Sequence, residues 1–317
     1  MWARTALALT LLAFAAGPAA AQSAPQTLAF TPDEPFLVES VARSADGALA
    51  VSSVHRAAIY SVGSGGALTP FGEPAGQGVF GLATDAERGV IWAAVSPTPY
   101  DQAEDQPAAL LQLDARTGLV LATYNPEGAG AALGDVALGP DGSVYVGDTG
   151  LRRVLRLAPG GSTLTTLAQL GERGSPQGMA VSPDGRWLVF ADYGSGLRRL
   201  DLTANGASEA AVLPGPEGAE LRGIDGLVRD GEAIIAIQNG TRTPRVLRLT
   251  LNADWSAVTA REALAEGEPL VEPTTGFIEG AALVFVSRSQ WTEFGQDGRP
   301  TSEHPPGAVV SRLSLEP

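Results

Sequence analysis

Along this chain, short apolar runs alternate with polar positions at a spacing of two residues, and a tight turn splits each run into a pair. In Ser175 to Asp192, SPQGMAVSPDGRWLVFAD, Met179 and Val181 alternate before a Pro-Asp-Gly turn, and Trp187 to Ala191 form a denser apolar run after it. Alternation on both sides of a glycine turn predicts two antiparallel strands. A lone hairpin of this size is marginal in water, so it must be one unit of something larger. Six segments carry the same pattern, turning at Asp46-Gly47, Arg88-Gly89, Asp141-Gly142, Asp184-Gly185, Asp230-Gly231 and Glu279-Gly280. The steps between turn glycines are 42, 53, 43, 46 and 49 residues. Repeats of roughly 40 to 50 residues with about four strands each are the signature of propeller blades.

A third strand follows each hairpin, as in AAIYSV, ALLQLDART, RRVLRLAPGG, GLRRLDLTANG and PRVLRLTLN, and a fourth often follows that, as in LTTLAQL and AAVLPG. The longest step reflects an insertion from Thr98 to Ala109. The last unit ends at Val309 to Leu315 with no fourth strand after it, whereas Gln26 to Phe30 is a free strand before the first hairpin. The expectation is an all-β, six-bladed β-propeller whose ring closes when this N-terminal strand joins the last blade, leaving no open edge. Helical periodicity is weak, and only Ala257 to Ala265 suggests a helical turn. A seven- or eight-bladed ring and a β-sandwich both fit the six evenly spaced turns less well.

Composition adds a compartment and removes several chemistries. The opening MWARTALALTLLAFAAGPAAAQ places Arg4 before an apolar run, Ala6 to Ala16, and ends in small residues. That layout predicts a signal peptide over residues 1–21, cleaved after Ala21. The apolar run falls short of the about 20 residues that span a bilayer, so the expectation is an exported, periplasmic or secreted protein, with residues 22–317 as a single propeller domain and no membrane span after cleavage. The formal charge of −14 argues against nucleic acid as a partner, which needs clustered Lys and Arg. The absence of lysine excludes Schiff-base chemistry, and the absence of cysteine excludes thiol nucleophiles, thiolate metal sites and disulfides. With two histidines and no cysteine, zinc is poorly served, and any metal would be a hard cation held by oxygen.

The strand starts carry the remaining information. VES at Glu39, QGM at Gln177 and DGL at Asp225 fall at one position counted back from their turns, with Phe80, Gly134 and Thr275 at that position in the other blades. In these motifs the chain resembles the gluconolactonase, regucalcin and senescence-marker-protein family of six-bladed propellers, with paraoxonases and strictosidine synthases as more distant relatives. The resemblance covers the chain after the leader and implies a divalent cation, often calcium, held at one mouth of the central channel by Glu39, Gln177 and Asp225. Gln177 stands where that family keeps an Asn. Gly134-Asp135 matches an Asn-Asp pair that holds substrate, with the Asn lost, and Ala132 stands where an arginine serves sugar-acid lactones.

Two carboxylates and an amide suit Ca²⁺, which takes six to eight oxygen ligands. The resemblance implies a lactone- or ester-type hydrolase in which the cation polarises a carbonyl and Asp225 or Asp135 serves as base. His55, Phe80, Asn239 and Trp291 are further candidates for a substrate pocket. The bland reading of each acid is a solvated residue or a cap on strand N–H groups, and a non-catalytic propeller binding a small ligand or a protein through its mouth is the competing function. No serine-hydrolase elbow or phosphate loop is present.

Overall fold

The computed structural model describes residues 24–63, 65–98, 106–204, 206–295 and 297–316. The leader, its cleavage site and the middle of the Thr98 to Ala109 insertion lie outside them. The described chain is all-β: six four-stranded antiparallel sheets form the blades of a ring, and in each sheet the strands follow one another outward from the axis. The innermost strands are Val41–Arg43, Gly78–Asp85, Leu133–Leu138, Pro176–Val181, Ile224–Asp230 and Gly276–Glu279.

The turn chemistry read from the sequence explains the repeat. Each hairpin glycine, from Gly47 to Gly280, has φ between 58° and 86°, in the left-handed region that costs other residues steric strain. The last blade lacks an outer strand of its own, and Gln26–Phe30 supplies it by pairing antiparallel with Val309–Ser314, so the ring closes as expected. Ala257 to Ala265 is not helical. Val258–Glu266 is the outer strand of the fifth blade, paired along Arg245–Leu251.

The core is divided among the seams. Six buried apolar clusters are each shared by two successive blades; one joins Val189 and Leu197 of the fourth blade to Leu227 and Ile234 of the fifth. The seam that closes the ring packs Ala29, Val284 and Val310 against Phe36, Val41 and Val51.

Polar groups at the ends of the second strands tie each blade to the loop before it. The Asp148 carboxylate accepts the backbone N–H groups of Ala132 (2.9 Å) and Leu151 (3.0 Å) and pairs with Arg153 at 2.8 Å. Asp192 accepts from Ser175 N–H (2.9 Å) and pairs with Arg198 at 3.1 Å. Gln238 repeats the arrangement without a charge, accepting from Arg245 at 2.6 Å. These groups hold the strand starts, and hence the channel-facing residues, at fixed height.

Asp148 is fully buried, so Asp148→Ala strands the Arg153 guanidinium and two backbone donors. The loss is expected to be about 3 kcal/mol, the scale of breaking a buried pair from one side. Urea unfolding of the variant measures it, and a loss below about 1 kcal/mol, the surface-pair scale, would show that the latch is not needed.

Candidate functional site

The innermost strands do not run smoothly past the mouth of the channel that lies opposite the Asp-Gly turns. In four blades the pairing with the second strand slips, at Phe80-Gly81, Gly134-Asp135, Gln177-Gly178 and Asp225. A β-bulge kinks a strand and re-aims a side chain, and these bulges sit where the candidate residues were counted. The glycine that follows in Gln-Gly and Asp-Gly has its own cause. A Cβ on Gly178 would lie 2.2 Å from Leu227 N, and one on Gly226 would lie 2.5 Å from Thr274 O, so only glycine lets adjacent innermost strands approach so closely. In the third blade the order is reversed. Gly134 takes the place of the site residue and Asp135 the place of the glycine, which sets its carboxylate deeper along the axis.

Glu39, Gln177, Asp225 and Asp135 line one cavity of about 400 Å³, together with Phe80, Asn239 and Trp291. His55 is not among the lining residues; its ring packs on Phe294 with centroids 5.3 Å apart, and burial pushes its pKa down. Of the lining residues that the sequence pattern does not single out, Tyr193 and Glu272 are the two that carry an ionisable group. Tyr193 follows a second strand directly, where an aromatic residue is a readable pocket signal. Glu272 lies in a segment whose backbone is left-handed at that residue (φ 53°), a conformation no repeat pattern announces.

The side chains are held by a short network. The Tyr193 hydroxyl donates to Asn239 Oδ1 at 2.8 Å, and Asn239 Nδ2 donates to Asp225 Oδ2 at 2.6 Å. The Trp291 indole N–H donates to Glu39 Oε2. Glu272 Oε2 accepts from Thr292 N–H at 2.7 Å, and Gln177 Nε2 donates to Ser175 Oγ at 3.1 Å.

Four carboxyl groups thus share one cavity, and among the described residues no arginine or histidine lines it. Burial pushes Asp225 up to about 7, with the Glu272 charge adding to it and the Asn239 hydrogen bond opposing it. Glu39 is raised well above the usual range by burial first, then by the charges of Asp225, Asp135 and Glu272 against the Trp291 hydrogen bond. Asp135 is raised by burial and then by Asp225. Desolvation and like charge both favour the protonated form.

A cavity of this kind demands positive charge, and its donors are oxygens only, so the donor chemistry fits a hard divalent cation. The side chains as they stand are committed to one another. Among the described residues no three acidic or histidine side chains close on a single point. Glu39 and Asp225 each have one oxygen engaged by a neighbour, and binding would use the remaining oxygens with the Gln177 carbonyl.

Because folded Asp225 keeps a proton that the unfolded chain has released, its burial costs stability over the interval from about pH 4 to about pH 7, and the cost is constant above that. In EDTA the protein is therefore expected to melt at a lower temperature at pH 8 than at pH 5, and Asp225→Asn is expected to reduce that difference, both directly and by removing a charge that raises Glu39 and Asp135. His55 contributes with the opposite sign in both proteins, so the change on substitution reports Asp225 together with the Glu39 and Asp135 carboxyls that its charge raises. Thermal unfolding monitored by circular dichroism decides the point, and an equal pH dependence in the variant would contradict it.

No family model and no curated protein sequence matches the chain. Solved structures match its fold over nearly its whole length. A gluconolactonase from Xanthomonas campestris is 16% identical, with 93% of this chain and 91% of that one covered at a TM-score of 0.61. Regucalcin from Agrobacterium tumefaciens, a calcium-binding protein, is 18% identical over 91% of this chain and 95% of its own, with a TM-score of 0.60. The PQQ-bound aldose sugar dehydrogenase from Streptomyces coelicolor is 19% identical over 92% of this chain and 98% of its own, also at 0.60. Their chemistries differ while the ring is the same, and the six-bladed propeller is what this chain shares with them.

Proposed function

We propose that this chain is a divalent-metal-dependent hydrolase of lactone or ester type, exported by its N-terminal leader, with its site in the carboxylate-lined cavity at one mouth of the propeller. The observation that carries the reading is four carboxyl groups in a cavity of about 400 Å³ with no basic lining residue among those described. A cluster of buried acids without a counter-charge costs stability, and a site that tolerates that cost has a use for a cation. The gluconolactonase and the calcium-binding regucalcin with the same fold support the choice of chemistry and of calcium.

In this reading Glu39, Gln177 and Asp225 hold the cation. When bound, it would polarise the substrate carbonyl and stabilise the charge that develops on its oxygen. Beside the cation Asp225 is ionised and free to accept a proton, and Asn239 fixes its orientation. It takes a proton from water as the water oxygen bonds to the carbonyl carbon, and the proton returns to the departing ring oxygen as the acyl C–O bond breaks. Asp135, deeper on the axis, is the second acid able to hold that proton. Phe80 and Trp291 wall the cavity beside the acids and give a small ring an apolar surface. With Ala132 in place of a basic side chain, a neutral lactone suits the cavity better than a sugar acid.

The test is turnover on a panel of neutral lactones and aryl esters, with EDTA and with calcium restored. Hydrolysis is expected to be lost in EDTA and recovered with calcium. Asp225→Asn is expected to lower kcat/KM by roughly 10²- to 10⁴-fold, the range of general-base catalysis, with unchanged circular dichroism. Calcium-dependent stabilisation without turnover on any substrate would favour a cation-loaded binding protein, and full activity in EDTA would refute the metal.

A further inference from the structure

The channel has a second cavity, of about 440 Å³, at the end that carries the Asp-Gly turns. Asp135 is the residue that borders both cavities, so it marks the boundary between them. The two differ in character. Where the first is lined by acids, the walls of the second are largely apolar and come from the innermost strands of all six blades, with Val41, Leu82, Val136, Met179, Val228 and Ile278 among them. Its volume lies within the roughly 300 to 1,000 Å³ of small-molecule sites.

The charged lining is mixed, with Arg43, Arg229 and Glu279 toward the turns and Asp135 at the boundary. Glu279 is committed between Arg43 and Arg312, bonding the latter at 2.7 Å, so its charge is matched. Arg43 also stacks over the Phe277 ring at 5.6 Å, and its Nε is buried without a hydrogen-bond partner among the described residues. Arg229 lines the same cavity, is exposed, and makes no ion pair among the described residues. Its neighbour Asp230 faces Arg248 at 3.9 Å. Arg229 without an ion pair among the described residues, beside an Arg43–Glu279–Arg312 cluster with one arginine in excess, sets positive charge at the end of an apolar shaft and complements a molecule with one anionic head and one apolar tail.

We propose that this second mouth binds an amphipathic monoanion, an alkyl carboxylate of medium chain length, with the tail in the shaft between the six innermost strands and the carboxylate at Arg229 and Arg43. The site is separate from the carboxylate-lined cavity and does not depend on what that cavity does.

Calorimetric titration of the whole protein with octanoate tests it, with acetate, octanol and octylammonium as comparisons. Octanoate is expected to bind saturably at one site, and acetate and octylammonium not to bind. Arg229→Glu, a change at an exposed position, is expected to weaken octanoate at least tenfold. Ile278→Gln is expected to weaken it by a similar factor through the tail. Asp225→Asn, at the other cavity, is expected to leave the affinity unchanged. Absence of saturable binding, octanol binding as tightly as octanoate, or an Arg229→Glu affinity equal to wild type would each overturn the proposal. So would a loss of octanoate binding in Asp225→Asn, because that would seat the ligand among the acids.

Discussion

Every blade of this ring is apolar on both faces, and none is covered until its two neighbours are in place. The six buried clusters sit at the seams rather than inside the sheets, so the stability of the chain resides in closure. Burying both faces draws the innermost strands together around the axis until their backbones touch. That approach explains the glycines at 178 and 226, and the bulges beside them explain why Gln177 and Asp225 face the cavity. The fold and the site therefore have one cause. The residues that permit the closest packing are adjacent to those that line the cavity.

The same geometry concentrates charge. Positions equivalent by the repeat converge on the axis and bring Glu39 and Asp225 together, and Asp135, one residue past its strand-start position, and Glu272, from outside the repeat, join them. Placed together with little water and no counter-charge, they hold protons at pH values where surface carboxylates have lost them, and Asp225 lies near neutrality. A ring of this shape hosts several chemistries among its structural neighbours. Along the axis of this chain the lining changes, with acids at one mouth and Arg43, Arg229 and Glu279 at the end of a largely apolar shaft at the other.

The ring was legible because its signals are local and periodic. A left-handed glycine in a hairpin turn is a constraint on one residue, and six of them at near-equal spacing define blades without any knowledge of long-range contacts. The closing strand, Gln26–Phe30, was legible as the one piece without a partner in its own unit. The outer strand Val258–Glu266 was not. Most of its side chains are exposed, its alternation is weak, and its Arg-Glu-Ala-Leu-Ala run favours a helix; backbone pairing to Arg245–Leu251 overrides that preference. In the site, residues at equivalent strand starts were found by counting. Glu272 and Tyr193 lie outside the counted positions, and Glu272 reaches the cavity through a backbone angle that sequence does not encode. His55 follows a strand end in sequence, but it packs against Phe294 instead of lining the cavity.

The claim on which the functional account rests is that the acids at the mouth bind one cation together. Calorimetric titration of calcium into metal-free protein at pH 7.5 and at pH 6 tests it directly. The account predicts one calcium per chain, weaker binding at pH 6 because raised carboxylate pKa values make protons compete with the metal, and loss of binding in Glu39→Gln. No binding at either pH, or binding that survives Glu39→Gln unchanged, would contradict it.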